Sequence, residues 1–218
     1  AIRNELWIVV TVGCVNQAAQ TLARLGSERL VQGTVEGVYA FPHPFGCGQL
    51  GDDLRNTQKA LAGLVRHPNA GGVLVLGLGC ENNALRLQLE AAGPMDPRRV
   101  RFFNAQEVSD EVEAGMQALE ELAAHAGSFQ RQPCPVSDLV LGMKCGGSDG
   151  FSGITANPLV GAISDMVTAW GGTVLLTEVP EMFGAEQILM NRACDERTFR
   201  ATVEMINGFK QYFLRHNQ

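Results

Sequence analysis

Along the chain, short apolar runs alternate with stretches whose apolar residues recur every three or four positions. The runs LWIVVTV (6–12), VYAF (38–41), GVLVLGL (72–78), VRFFN (100–104), LVLGM (139–143) and TVLLTEV (173–179) are almost continuously hydrophobic. Polar alternation disappears when a strand is covered on both faces, so these runs predict strands of a parallel sheet. Between them, Leu50, Leu54, Leu61 and Leu64 mark one helical stripe. Val108, Val112, Leu119 and Leu122 mark a second, and Phe199, Val203, Ile206, Phe209 and Phe213 a third. The second opens with Glu107, Asp110, Glu111 and Glu113, acids that suit the positive end of a helix. The alternation predicts an α/β fold with a mainly parallel, Rossmann-like sheet flanked by helices. The segment HAGSFQRQPCPVSD (125–138) reads as a linker, dividing the chain into α/β subdomains at 1–130 and 136–218.

Composition narrows the function. The 218 residues are 45% hydrophobic and only 18% charged, the balance of a well-buried globule. A net charge of −6, with no basic stripe or aromatic platform, argues against nucleic acid. No apolar stretch approaches the roughly 20 residues needed to span a bilayer. The chain begins at Ala1 without a methionine and reads as a piece of a longer protein. Six cysteines in so large a chain read as thiols rather than staples, which points to a reducing cytoplasm.

The cysteines fall where chemistry is expected. Cys14, Cys47 and Cys80 follow the first three strands at even spacing, and Cys145 follows the fifth. The carboxyl ends of parallel strands share one edge, where ligands bind, so the four thiols are expected to face one crevice. Glu178 and Glu181, in TEVPEMFGAE, are expected at that edge too. The plain alternative is that cysteine acts as a small hydrophobe at tight glycine junctions; Cys134 and Cys194 read as structural in this sense. The loop KCGGSDGFSGITANP (144–158) carries Gly146 and Gly147 for close backbone approach, then Asn157 as an N-cap with Pro158 at the first helical position. That predicts an anion site at a helix start, without the glycine-lysine-serine order of a nucleotide loop. Lys144, just past an apolar strand, is expected to be partly desolvated and suited to proton transfer or carboxylate pairing. Asp149 suits either a turn or a metal. His43 lies in a loop stiffened by two flanking prolines.

The stretches RNELWIVVTVGC, HPFGCGQLGDD, RHPNAGGVLVLGLGCENN, KCGGSDGFSGITANPLVG and GGTVLLTEVPEMFGAEQILMNRA cover most of the chain in order. Together they resemble the altronate and galactarate dehydratase family of sugar-acid hydro-lyases, with EVPEMFGAEQ nearer the altronate branch. Members of that family are longer, so the chain resembles their central section. The resemblance implies dehydration of an aldonate to a 2-keto-3-deoxy acid, dependent on Fe²⁺ or Mn²⁺. On that reading Lys144, His43, Asp149 and Glu178 are the catalytic candidates. Lys144 would act as base at C2 or clamp the carboxylate, and His43 or a glutamate would assist departure of the C3 hydroxyl. Gly146, Gly147, Ser148, Ser152 and Asn157 would bind substrate, and Cys47, Cys80, Cys145, Glu81 and Glu181 would supply metal ligands. An iron–sulfur dehydratase using three strand-end cysteines is a second reading, and a non-catalytic Rossmann-like binding or oligomerisation domain a third. A homo-oligomer acting on a small sugar acid is the expected assembly.

Overall fold

The structure, a computed structural model, describes residues 1–147 and 149–218; Ser148, one of the expected substrate contacts, lies outside the described residues. The chain divides into two compact units, Ala1–Arg131 and Gln132–Gln218. The fold is α/β, with parallel sheets flanked by helices.

The first unit runs β1 (Glu5–Val10), α1 (Asn16–Leu30), β2 (Gly37–Phe41), α2 (Gly51–Val65), β3 (Ala70–Gly77), α3 (Leu85–Ala92), β4 (Val100–Asn104) and α4 (Glu111–Ala126). Its strands form one parallel sheet in the order β2-β1-β3-β4, with Val9 opposite both Phe41 and Val75. Side chains on a strand alternate between faces. Leu6, Ile8 and Val10 therefore enter one core with Leu22 of α1 and Leu119 and Leu122 of α4, whereas Trp7 and Val9 enter another with Leu61 and Val65 of α2 and Leu85 of α3. Both faces are covered, which is why the strand sequences lack alternation. α4 starts at Glu111, later than the Glu107 its acids suggested, with the Asp110 carboxylate accepting from the amides of Val112 (2.8 Å) and Glu113 (2.9 Å). The expected leucine stripe on α2 is shifted: Leu50 precedes the helix and is 71% exposed, and the buried face is Thr57, Leu61, Ala62 and Val65.

The second unit contains β5 (Val140–Met143), α5 (Ala156–Ala169), β6 (Thr173–Leu176), α6 (Glu186–Asn191) and α7 (Glu196–Arg215). β5 and β6 pair in parallel, Val140 with Thr173 through Met143 with Leu176, as a sheet of their own. This corrects the expectation of one edge shared by all strand ends. β5 takes its backbone partners from β6, so Cys145 follows a strand of a different sheet from Cys14, Cys47 and Cys80. Phe209 and Phe213 of α7 pack edge-on against Phe183, at centroid distances of 6.5 and 6.4 Å. Among the described residues of this unit only Val167 and Ile206 are buried hydrophobics, and Val140, Trp170, Leu175 and Leu176 are each more than half exposed. Among the described residues no helix is long and apolar enough to cross a membrane.

Candidate functional site

In the first unit, three loops meet at the carboxyl edge of the sheet. The amide of Gly13 donates to Phe45 O (2.8 Å) and that of Asn82 to Cys47 O (2.9 Å), so the loop after β2 is held by both of its neighbours. Asn16 reinforces the first junction, donating from Nδ2 to His43 O (2.9 Å) and accepting the His43 amide (3.3 Å). Gly13 is required there, because a Cβ would lie 2.9 Å from His43 O and 3.1 Å from Phe45 O. Cys14, Cys47 and Cys80 are exposed on this edge, and Cys80 Sγ accepts a long contact (3.9 Å) from Gln106 Nε2.

His43 does not present a free imidazole. Nε2 lies 3.1 Å from Val10 O, and Nδ1 accepts the Phe45 amide at 3.3 Å. A carbonyl partner makes Nε2 the protonated nitrogen and an amide partner makes Nδ1 the acceptor, so both ring nitrogens serve the backbone. The proline-flanked loop thus uses its histidine to grip β1, which takes the ring away from the proton-donor role expected of it.

Glu81 is buried, at 6% exposure. Oε1 accepts from Thr11 Oγ1 (2.5 Å) and the Leu78 amide (3.0 Å), and Oε2 from the Gly79 amide (2.7 Å). Burial alone would raise its pKa, but the Thr11 hydroxyl and the Gly79 and Leu78 amides outweigh it and hold the carboxyl below the ordinary range. With its oxygens facing these donors, Glu81 closes the β1–β3 junction instead of opening onto a metal. Asn83, also buried, donates to Thr11 O (3.1 Å). Reading the sequence missed Thr11, Asn16 and Asn83; the polar run ENN at the end of a strand was the available signal.

In the second unit the site loop leaves β5. Lys144 is exposed, so the desolvation expected of it is absent. The Cys145 amide donates to Glu178 Oε2 (3.1 Å), and Thr177 Oγ1 donates to Met143 O (2.8 Å). Glu178 adopts φ 63°, ψ 74°, a left-handed conformation that costs a non-glycine residue about 1–3 kcal/mol. This turn also ends β6 at Leu176, short of the expected strand 173–179. Asp149 takes the turn role: Oδ1 accepts from the amides of Phe151 (2.8 Å) and Ser152 (2.9 Å), and Ser152 Oγ donates back to Asp149 O (2.9 Å). Gly146 and Gly147 are exposed, with nothing within 4 Å of a built Cβ. α5 begins two residues earlier than expected. Thr155 takes the cap position and Asn157 lies in the first turn, its amide donating to Ser152 O (2.8 Å). Pro158 is tolerated because first-turn amides have no partner within the helix. Glu181 is exposed, its amide donating to Glu178 O (2.9 Å).

Of the expected metal set, Cys47, Cys80 and Glu81 lie in the first unit and Cys145 and Glu181 in the second. Among the described residues no three His, Cys, Asp or Glu side chains are grouped so as to hold an ion. Within the first unit Glu81 is already satisfied by internal donors. Among the described residues neither unit by itself presents a ligand set for the Fe²⁺ or Mn²⁺ that the resemblance implies.

Comparison with known proteins covers both units. The family model described as D-galactarate dehydratase/Altronate hydrolase, second domain, matches residues 1–127. The model described as D-galactarate/Altronate dehydratase, C-terminal, matches residues 136–218. Altronate dehydratase of Bacillus subtilis (strain 168) is 53% identical over 222 residues, covering 100% of this chain and 44% of that protein. Altronate dehydratase of Escherichia coli (strain K12) is 53% identical over 219 residues, again covering 100% of the chain and 44% of the relative. Galactarate dehydratase (L-threo-forming) of the same strain is 38% identical over 157 residues, covering 67% of this chain and 30% of that protein. The chain therefore spans less than half the length of these relatives.

Proposed function

Because the chain belongs to the D-galactarate dehydratase/altronate hydrolase family, we propose that it serves the dehydration of a sugar acid, D-altronate to 2-dehydro-3-deoxy-D-gluconate and water. The observation that carries this reading is the 53% identity to two altronate dehydratases across the whole chain. In the reaction the C2–H bond breaks and its electrons form the C2–C3 double bond as the C3–O bond breaks. The hydroxyl leaves as water after taking a proton, and the enol becomes the 2-keto acid. Removing a proton beside a carboxylate places further negative charge on that carboxylate, so the demand on the protein is for positive groups and donors aimed there.

The site loop offers such groups. Exposed Lys144 suits pairing with the substrate carboxylate better than proton abstraction, because a buried amine, not a solvated one, makes the better base. The uncovered backbone at Gly146 and Gly147 lets that carboxylate approach closely, and Ser152 and Asn157 follow on the same loop and helix start.

The test is an anaerobic assay of the protein, with ferrous iron supplied, against a panel of aldonates and aldarates, reading the keto-deoxy product. Altronate should be the best substrate. Lys144→Met should lower kcat/KM about a hundredfold, the scale of a lost electrostatic contact to developing charge. Absence of keto-deoxy product from every sugar acid would overturn the proposal.

A further inference from the structure

Among the described residues only Glu178 and Asn217 combine a side chain with positive φ. Asn217 lies next to the last residue, whereas Glu178 lies at the mouth of the site loop. We infer that Glu178 is a positioning residue: its carboxylate anchors the Cys145 amide and thereby fixes the start of the loop that carries Lys144.

Backbone pairing between β5 and β6 stops at Met143 and Leu176. The next two residues of the β6 side replace it with side-chain bonds, Thr177 Oγ1 to Met143 O (2.8 Å) and Glu178 Oε2 from the Cys145 amide (3.1 Å). Sheet-like restraint is thus carried two residues past the end of β5, up to Lys144 and Cys145. The left-handed turn at Glu178 is closed behind by the Glu181 amide on Glu178 O (2.9 Å) and by Pro180. Glycine or asparagine would adopt that backbone with less strain, so what the chain keeps by using glutamate is the long acceptor. The following glycines add no side-chain anchor of their own: a Cβ at Gly146, Gly147 or Gly150 would meet nothing within 4 Å. The charged groups on the same two segments are Lys144, Asp149 and Glu181, and Asp149 is engaged by the amides of its own turn.

The role of Lys144 in this inference rests on the functional reading above; the bond to Cys145 does not. Glu178→Ala, Glu178→Gly and Glu178→Gln would be compared in the protein by hydrogen exchange at the Cys145 amide, by thermal melting and by steady-state kinetics. Alanine and glycine should speed exchange at Cys145 and lower kcat/KM about tenfold or more, the cost of a displaced binding group. Glycine should melt no lower than wild type because it relieves the backbone. Glutamine keeps an acceptor oxygen and should restore slow exchange and turnover to within about twofold. Unchanged Cys145 exchange in Glu178→Ala would overturn the inference, as would glutamine as impaired as alanine. Should the protein dehydrate no sugar acid, the functional reading falls while the exchange comparison still decides the positioning role.

Discussion

Thr11 Oγ1 donates to Glu81 Oε1 at 2.5 Å, tying the residue that follows β1 to the loop that follows β3. The bond joins positions separated by 70 residues at the carboxyl edge of the four-stranded sheet. It shows that this edge is organised by a buried carboxyl group as well as by hydrophobic packing.

Replacing that carboxylate should cost stability. Glu81→Gln turns an amide group toward backbone N–H donors and removes charge-assisted bonds, and about 1.5–3 kcal/mol should be lost at neutral pH. The folded pKa of Glu81 lies below its ordinary value of 4.5, so its contribution is present above that value and fades as pH falls through the lower folded pKa. The gap between wild type and Glu81→Gln should therefore narrow in acid. Urea titrations at pH 7 and pH 3 check this, and an equal gap at both would contradict the assignment.

Gly13 holds the β2 loop in place by having no side chain. A methyl group there must displace His43 O and Phe45 O, which are backbone atoms with little room to yield. Gly13→Ala should cost about 1–3 kcal/mol and loosen the loop carrying Cys47. Faster hydrogen exchange at the Phe45 amide together with a lower Tm is the expected signature; a silent substitution would mean that the loop is not pinned at this point.

The two units should differ in autonomy. Residues 1–131 contain two cores, one on each face of the sheet, and should fold cooperatively when expressed alone. Within that piece Ile8→Ala should cost about 2–5 kcal/mol. Residues 132–218 bury only Val167 and Ile206 among the described hydrophobics, around a two-stranded parallel sheet, and should not melt cooperatively alone. Circular dichroism melting of the two pieces separates these outcomes.

Much of this could be read before any coordinates. The unbroken apolar runs around Ile8 and Leu74 identified strands buried on both faces, and Asp110 marked the start of a helix. These are local signals: hydrophobic periodicity and capping chemistry act over a few residues and leave their mark in sequence.

Which strands share a sheet was settled only in three dimensions. Both β1 and β5 read as apolar strands, yet among the described residues β5 pairs with β6 and not with the four-stranded sheet, because pairing depends on where backbone donors and acceptors meet after the chain has folded. The same reason governs Glu81 and His43. Each reads as a reactive group in sequence, and each is consumed by partners brought from elsewhere, Thr11 for the carboxylate and Val10 O for the imidazole. The left-handed turn of Glu178 is equally silent in sequence, since nothing in the dipeptide Glu178–Val179 calls for it. The chain by itself specified the elements and the residue types available for chemistry. Tertiary structure decided which of those groups remain open to a ligand, because hydrogen-bond satisfaction and exposure depend on neighbours distant along the chain.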